Sequence, residues 1–213
     1  MITNFFNRNY KLITLSAILI LGTLIYSNAF DCSFHFDDGN SIVGNSAIKN
    51  ILNLPAIWNF APPRFITYFS IALNYHFGQL NVLGYHIFNL IVHLISASLA
   101  WCLMLLTFST PAMQAQKIAK HAKLLALFAG LAFVAHPIQT QGVTYIIQRA
   151  ASLATLFYLG SLCLYVKSRL LQQQGRSLTS QKLCYWSALI VAVMAMFTKE
   201  TAVTLPVAMI LYE

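Results

Sequence analysis

The chain has 213 residues, 58% of them hydrophobic and 8% charged, with a mean hydropathy of +0.67; ordinary soluble domains carry about 25% charged residues. This excludes a soluble globular domain and points to an all-α, polytopic membrane protein. A formal net charge of +8 would suit nucleic acid if the Lys and Arg shared a soluble face, but they lie in short segments between apolar runs, so no nucleic-acid partner is expected and the charge reads as a topology signal.

Lys11 to Phe30 is an apolar run of about the 20 residues needed to cross a bilayer, preceded by Arg8 and Lys11. Ser27-Asn28-Ala29 also resembles a small-x-small cleavage site, but the length of the run and the spans behind it favour a retained anchor over a signal peptide. The first outside loop then runs from Asp31 to Pro63, rich in Asn and Gly turn residues. Inside it, Ile48, Ile51 and Leu52 recur at helical spacing, which predicts a short surface helix over Ser46 to Leu54. Arg64 to Phe77 is apolar but short and reads as an interfacial helix.

The second span is placed at Val82 to Phe108, with His86, Asn89 and His93 on one helix face. Lys117, Lys120, His121 and Lys123 form a basic inside cluster, followed by a third span at Leu124 to Ala135. His136 to Arg149 returns outside, and Ala150 to Val166 is the fourth span. Lys167 to Lys182, basic and Gln-rich, reads as a solvated inside loop. Leu183 to Phe197 is the fifth span, Thr198 to Thr201 is outside, and Ala202 to Tyr212 begins a sixth. The result is about five full spans, a partial sixth and no soluble domain, so the chain reads as the N-terminal part of a larger membrane domain.

The charges agree with this threading. Only Lys49, Arg64, Arg149 and Lys199 of the 13 Lys and Arg fall outside, as the positive-inside rule requires. Four of the five acids, Asp31, Asp37, Asp38 and Glu200, also fall outside. Acids contribute little to orientation, so a site on that face is the simplest reason for their gathering.

Asp37 and Asp38 are the candidate catalytic pair: one carboxylate accepts the proton of an attacking hydroxyl, and the other positions the first or binds a divalent cation. Asp-Asp-Gly-Asn is equally a good solvated turn. Arg64, His136, Arg149 and Lys199 stand on the same side and suit an anionic phosphate, with headgroup anchoring as the plainer role for Arg149 and Lys199, while Glu200 beside Lys199 is either a local ion pair or part of a site wall. His136, Arg149, Lys199 and Glu200 are expected to share one outward-facing cavity below the Asp37 loop. His86, Asn89 and His93 fit interhelical hydrogen bonding better than ligation. The four cysteines have no paired spacing, so no disulfide framework or zinc site follows.

The runs FHFDDGNSIVGN, LNYHFGQLNVLGYHIFNLIVHL, FVAHPIQTQGVTYIIQRAASLATLFYL and FTKETAVTLPVAMILYE, in that order, resemble the N-terminal membrane half of transmembrane-and-tetratricopeptide protein O-mannosyltransferases and their bacterial relatives. These belong to the GT-C glycosyltransferase superfamily. The resemblance implies a GT-C-like fold and transfer of a sugar, mannose in that family, from a polyprenyl-phosphate carrier to an acceptor hydroxyl such as protein Ser or Thr. It carries the acidic pair onto Asp37 and Asp38, with His136, Arg149, Lys199 and Glu200 in the later outside loops. Family members read Arg-Pro after the first loop, whereas this chain reads Pro63-Arg64-Phe65. The membrane implied is the inner membrane of a bacterium or the endoplasmic reticulum of a eukaryote. The alternative is a non-catalytic polytopic protein, a transporter or pseudo-enzyme scaffold, but the inverted repeats of a transporter are not found.

Overall fold

The computed structural model describes residues 2–213, with side chains from Asn9 onward. Arg8, counted among the inside charges, lies outside the described side chains. The described residues form ten α-helices: α1 (Ile2–Ile25), α2 (Leu54–Phe60), α3 (Phe65–Gly78), α4 (Val82–Phe108), α5 (Pro111–Gln114), α6 (Ala122–Ala135), α7 (Thr140–Thr144), α8 (Arg149–Gln173), α9 (Leu178–Met196) and α10 (Leu205–Ile210). The chain is an all-α polytopic membrane bundle. Four stretches have the length and apolarity to cross a bilayer: Val82–Phe108, Lys117–Ala135, Ile146–Gln173 and Leu178–Met196. In α1 the apolar stretch is Asn9–Ile25.

α4 is the central helix and packs on α1, α6 and α8, while α9 packs on α8. Asn81 starts it: the side chain accepts from the Leu83 amide at 3.0 Å and satisfies one of the donors orphaned at a helix N-terminus. α1 shows the division of faces expected of an outer helix. Tyr10, Thr14 and Ile18, four residues apart, are buried, while Leu12, Leu15, Leu19 and Leu24 are exposed. Apolar side chains bared along a whole helix are stable against lipid and a liability in water. Gly22 allows the close approach of α1, because a Cβ there would stand 2.4 Å from Leu94 Cδ2 and 2.8 Å from Val134 Cγ2.

Three local structures differ from the sequence reading. The loop helix is not at Ser46 to Leu54: only a 3₁₀ turn forms over Ser46–Lys49, and the helix, α2, begins at Leu54. Asn53 caps it and Pro55 lies in its first turn, where a missing N–H costs nothing. Helical spacing of three isoleucine and leucine positions was thus outweighed by a strong start signal further on. Secondly, Lys167 to Lys182 is mostly helical: α8 runs to Gln173 and α9 begins at Leu178, leaving a tight turn in which Gly175 takes φ +61°. Thirdly, the run after Lys199 is a 3₁₀ turn over Glu200–Thr204 followed by the short α10.

The first loop is folded onto the bundle. Ile42, Ile48 and Ile57 from the loop, Tyr68, Ile71 and Ala72 from α3, Tyr85 from α4 and Ile146 make one buried cluster. The end of the bundle bearing this cluster carries both Asp37–Asp38 and the α9–α10 connection, since Ile66 N donates to Phe197 O (3.0 Å) and Thr67 Oγ1 to Thr198 O (2.9 Å).

Candidate functional site

The two adjacent acids have opposite environments. Asp38 is completely buried and accepts from two backbone amides, Ile147 N on Oδ1 at 2.9 Å and His35 N on Oδ2 at 3.3 Å. Burial pushes its carboxyl above the usual carboxylate range, and the two amides pull it partly back. Asp37 is exposed, and its backbone amide donates to Tyr145 Oη at 3.1 Å. His35 stacks on Tyr145 with ring centroids 5.0 Å apart. The loop is therefore docked on residues 145–147 through backbone groups and through Asp38, and the Asp37 carboxylate stays exposed next to the Tyr145 hydroxyl.

Two further features mark this turn. Phe36 has φ 49° and is 86% exposed, so a bulky residue holds a left-handed conformation with no burial of its ring to compensate. Directly after Asp38, residues Gly39–Val43 form a π-helical turn. Both departures from regular backbone cost free energy and cluster at functional loops.

The expected phosphate-facing residues do not form one group. Arg149 is fully buried: Nε donates to Asn89 Oδ1 (2.7 Å), Nη1 to Ser70 O (3.1 Å) and Nη2 to Tyr85 O (3.0 Å). Its guanidinium lies 4.3 Å from the centroid of Phe88, a cation–π contact. Arg149 joins α3, α4 and α8 from within. Arg64 and Glu200 instead pair with each other, Nε to Oε1 at 3.0 Å and Nη2 to Oε2 at 3.1 Å, both more than 40% exposed. That contact lowers the Glu200 carboxyl below its ordinary value and raises the Arg64 guanidinium. Lys199 is half-buried beside this pair and makes no ion pair among the described residues. His136 is exposed, and its Nδ1 accepts from Ile138 N at 3.2 Å as a cap.

The face shared by His86, Asn89 and His93 is used for tying segments to α4. His86 has Cys32 O at 2.9 Å from Nε2 and Val143 O at 3.1 Å from Nδ1, Asn89 donates to Ile146 O, and His93 Nε2 meets Val134 O at 3.2 Å. Among the described residues no group of three His, Cys, Asp or Glu is placed to hold a metal ion. With both Asp38 oxygens occupied by amides, a divalent cation at the loop would find a single free carboxylate, a poor donor set for Mg²⁺ or Ca²⁺.

A cavity that the sequence reading missed lies beside Gln148. It measures about 150 Å³ and is bounded by α4, the end of α6, α7 and the start of α8. The signal for it was present in the glutamines of HPIQTQGVTYIIQR, which are too many for a mere connection.

The chain is similar along most of its length to protein O-mannosyl-transferases. It is 29% identical over 76% of its length to one from Caenorhabditis elegans, of which it covers 24%. To protein O-mannosyl-transferase TMTC3 of Homo sapiens it is 28% identical over 76% of its length, covering 18% of that protein, and to Tmtc3 of Drosophila melanogaster 27% identical over 99%, covering 25%. The chain thus spans about a quarter or less of the curated relatives named here. No family model matches it, and no solved structure does. The likeness read from four short runs therefore extends over nearly the whole chain.

Proposed function

We propose that the chain supplies the acidic loop and donor-side wall of a GT-C-type glycosyltransferase. That enzyme transfers mannose from a polyprenyl-phosphate carrier to an acceptor hydroxyl, such as protein Ser or Thr, at the outer or lumenal membrane face. The observation that carries this reading is the division of labour within Asp37–Asp38: one carboxylate is buried and tied down by two amides, and its neighbour is exposed at a strained turn. The names and coverage of the relatives support it.

In this reading Asp37 removes the proton of the acceptor hydroxyl as that oxygen bonds to the anomeric carbon. The bond from that carbon to the carrier phosphate breaks from the opposite side, with inversion, and the phosphate leaves with the electron pair. Asp38 holds Asp37 in place. Lys199, half-buried beside the Arg64–Glu200 pair and outside its hydrogen bonds, offsets the charge on the leaving phosphate better than the enclosed Arg149. His136 and the Arg64–Glu200 pair border the same end of the bundle.

The test is transfer of mannose from a polyprenyl-phosphate donor to a peptide acceptor in membranes, at matched protein levels, using the longest natural chain that contains this sequence. Asp37→Asn keeps size and removes the proton acceptor, so turnover should fall roughly 10²- to 10⁴-fold. Unchanged turnover would remove Asp37 from the mechanism. Absence of transfer by the unsubstituted protein would favour a non-catalytic membrane role.

A further inference from the structure

The cavity beside Gln148 is lined by neutral polar and apolar residues without a formal charge of the Lys, Arg, Asp or Glu kind. Gln139, Gln141, Gln148, Ser96, Ser152 and Thr155 are among its lining residues, and no Lys, Arg, Asp or Glu is. The three hydroxyls already donate to backbone carbonyls, Ser96 to Val92 O (2.8 Å), Ser152 to Gly142 O (3.0 Å) and Thr155 to Ala151 O (2.9 Å), so each presents an oxygen free to accept. The glutamine amides supply donors and acceptors together. His93, which meets Val134 O through Nε2, adds an accepting Nδ1. Phe133 and Ile138 give the cavity an apolar side.

Lipid headgroup phosphates, metal ions and acidic peptides all require compensating charge that this lining lacks. An acyl chain would leave the glutamine amides without partners. Mixed donors and acceptors without net charge, with one apolar wall, match a ring that bears several hydroxyls on its edge and C–H groups on its face. The volume, equal to roughly five waters at bulk density, matches a single ring rather than a chain of them. We propose that this cavity binds one neutral hexopyranose unit. Its position supports this, because Gln148 lies between Ile147, whose amide holds Asp38, and Arg149, which locks α8 to α4. A sugar seated here touches the connection on which the acidic loop is docked.

The choice of mannoside as probe rests on the proposed function; the site itself rests on the lining. Saturation-transfer NMR with methyl α-mannoside on the full chain in lipid nanodiscs should detect contact. Ser152→Leu and Ser96→Leu fill the cavity from α8 and α4 and should abolish it. Gln148→Ala, at a half-exposed position that leaves the fold undisturbed, should weaken binding roughly ten-fold, as loss of one buried hydrogen bond does. Displacement by polyprenyl-phosphate mannose would assign the site to the donor's sugar, and displacement by a mannosylated peptide to a glycan on the acceptor. No saturation transfer from the unsubstituted protein to methyl α-mannoside, or saturation transfer unchanged in Gln148→Ala and in the folded filled variants, would overturn the proposal. Mannoside binding without any mannosyl transfer by the longer protein would remove the proposed function and leave this site standing; mannosyl transfer with no mannoside contact at the cavity would do the reverse.

Discussion

Asp38 Oδ1 accepts the amide hydrogen of Ile147, 109 residues further along the chain, at 2.9 Å. Through this bond the first loop is fastened to the connection that leads into α8, and a carboxylate that looks catalytic from its sequence neighbours is used as a fastener.

Asp38→Asn retains one acceptor oxygen for Ile147 N but turns its other polar atom into a donor facing His35 N. A loss of about 1–3 kcal/mol in stability is expected, with more for Asp38→Ala, which strands both amides. Asp37→Asn, on an exposed side chain, should leave stability unchanged within about 0.5 kcal/mol. Thermal unfolding of the three variants in detergent checks the order, and equal effects at both positions would contradict the burial difference.

Docking of the loop should depend on pH. Because burial raises the Asp38 carboxyl in the folded chain, the folded state holds its proton more tightly than the unfolded state does. Stability from this group is then fullest at acid pH, and it declines as pH rises from the ordinary carboxylate range, about 3.9 for Asp, through the raised folded value. Glu200 has the opposite sign: its carboxyl is lowered by Arg64, so its contribution is lost as pH falls below the ordinary Glu range, about 4.3. It is exposed and its pair contributes at most about 1 kcal/mol. Amide exchange of His35 and Ile147 against pH, in the wild-type chain and in Asp38→Asn, should show protection falling with rising pH only while Asp38 is present.

Arg149 should tolerate no replacement. Arg149→Met keeps the length of the side chain but leaves Asn89 Oδ1, Ser70 O and Tyr85 O without their donors, at an expected cost of about 3 kcal/mol or more. Arg149→Lys restores charge without the planar fork and should recover only part of this. If Arg149 instead bound phosphate from solvent, both variants would weaken donor binding with little change in melting temperature, so measuring the two together separates the roles.

Gly22→Ala should loosen α1 from α4 and α6. The added methyl meets Leu94 and the stiff, buried Val134, so a loss of about 1–3 kcal/mol is expected from overpacking. A smaller paired substitution, Leu94→Ala with Gly22→Ala, should return part of the loss, and a melting series of single and double variants measures the coupling.

Much of the architecture is legible because hydropathy is a long-range average: the apolar run placed at about Val82 to Phe108 is α4. Where helix continues in polar residues the average fails. The stretch from Lys167 to Gln173 is rich in Lys, Arg, Leu and Gln, all good helix formers, and only Gly175 marks its end. The site was legible in part. Adjacent Asp37 and Asp38 announce themselves as a pair, but which one turns inward is decided by amides more than a hundred residues away. Likewise Arg64 and Glu200, separated by 136 positions, are recognisable as partners only once α3 and the α9–α10 connection are seen together.

The stretch from Val143 to Arg149 has successive attachments in fixed order: Val143 O to His86, Tyr145 Oη to the Asp37 amide, Ile147 N to Asp38, and Arg149 to Asn89. Each residue inserted ahead of a helix turns everything after it by about 100°. One residue added or removed here would keep at most one end of the series in place, swinging the guanidinium out of its enclosure or pulling the acidic turn off its seat. At Val143 and Ile147 backbone groups make the contact, so it survives exchange for an apolar side chain of similar size, as the burial of Val143 demands, but not a change in the length of the segment.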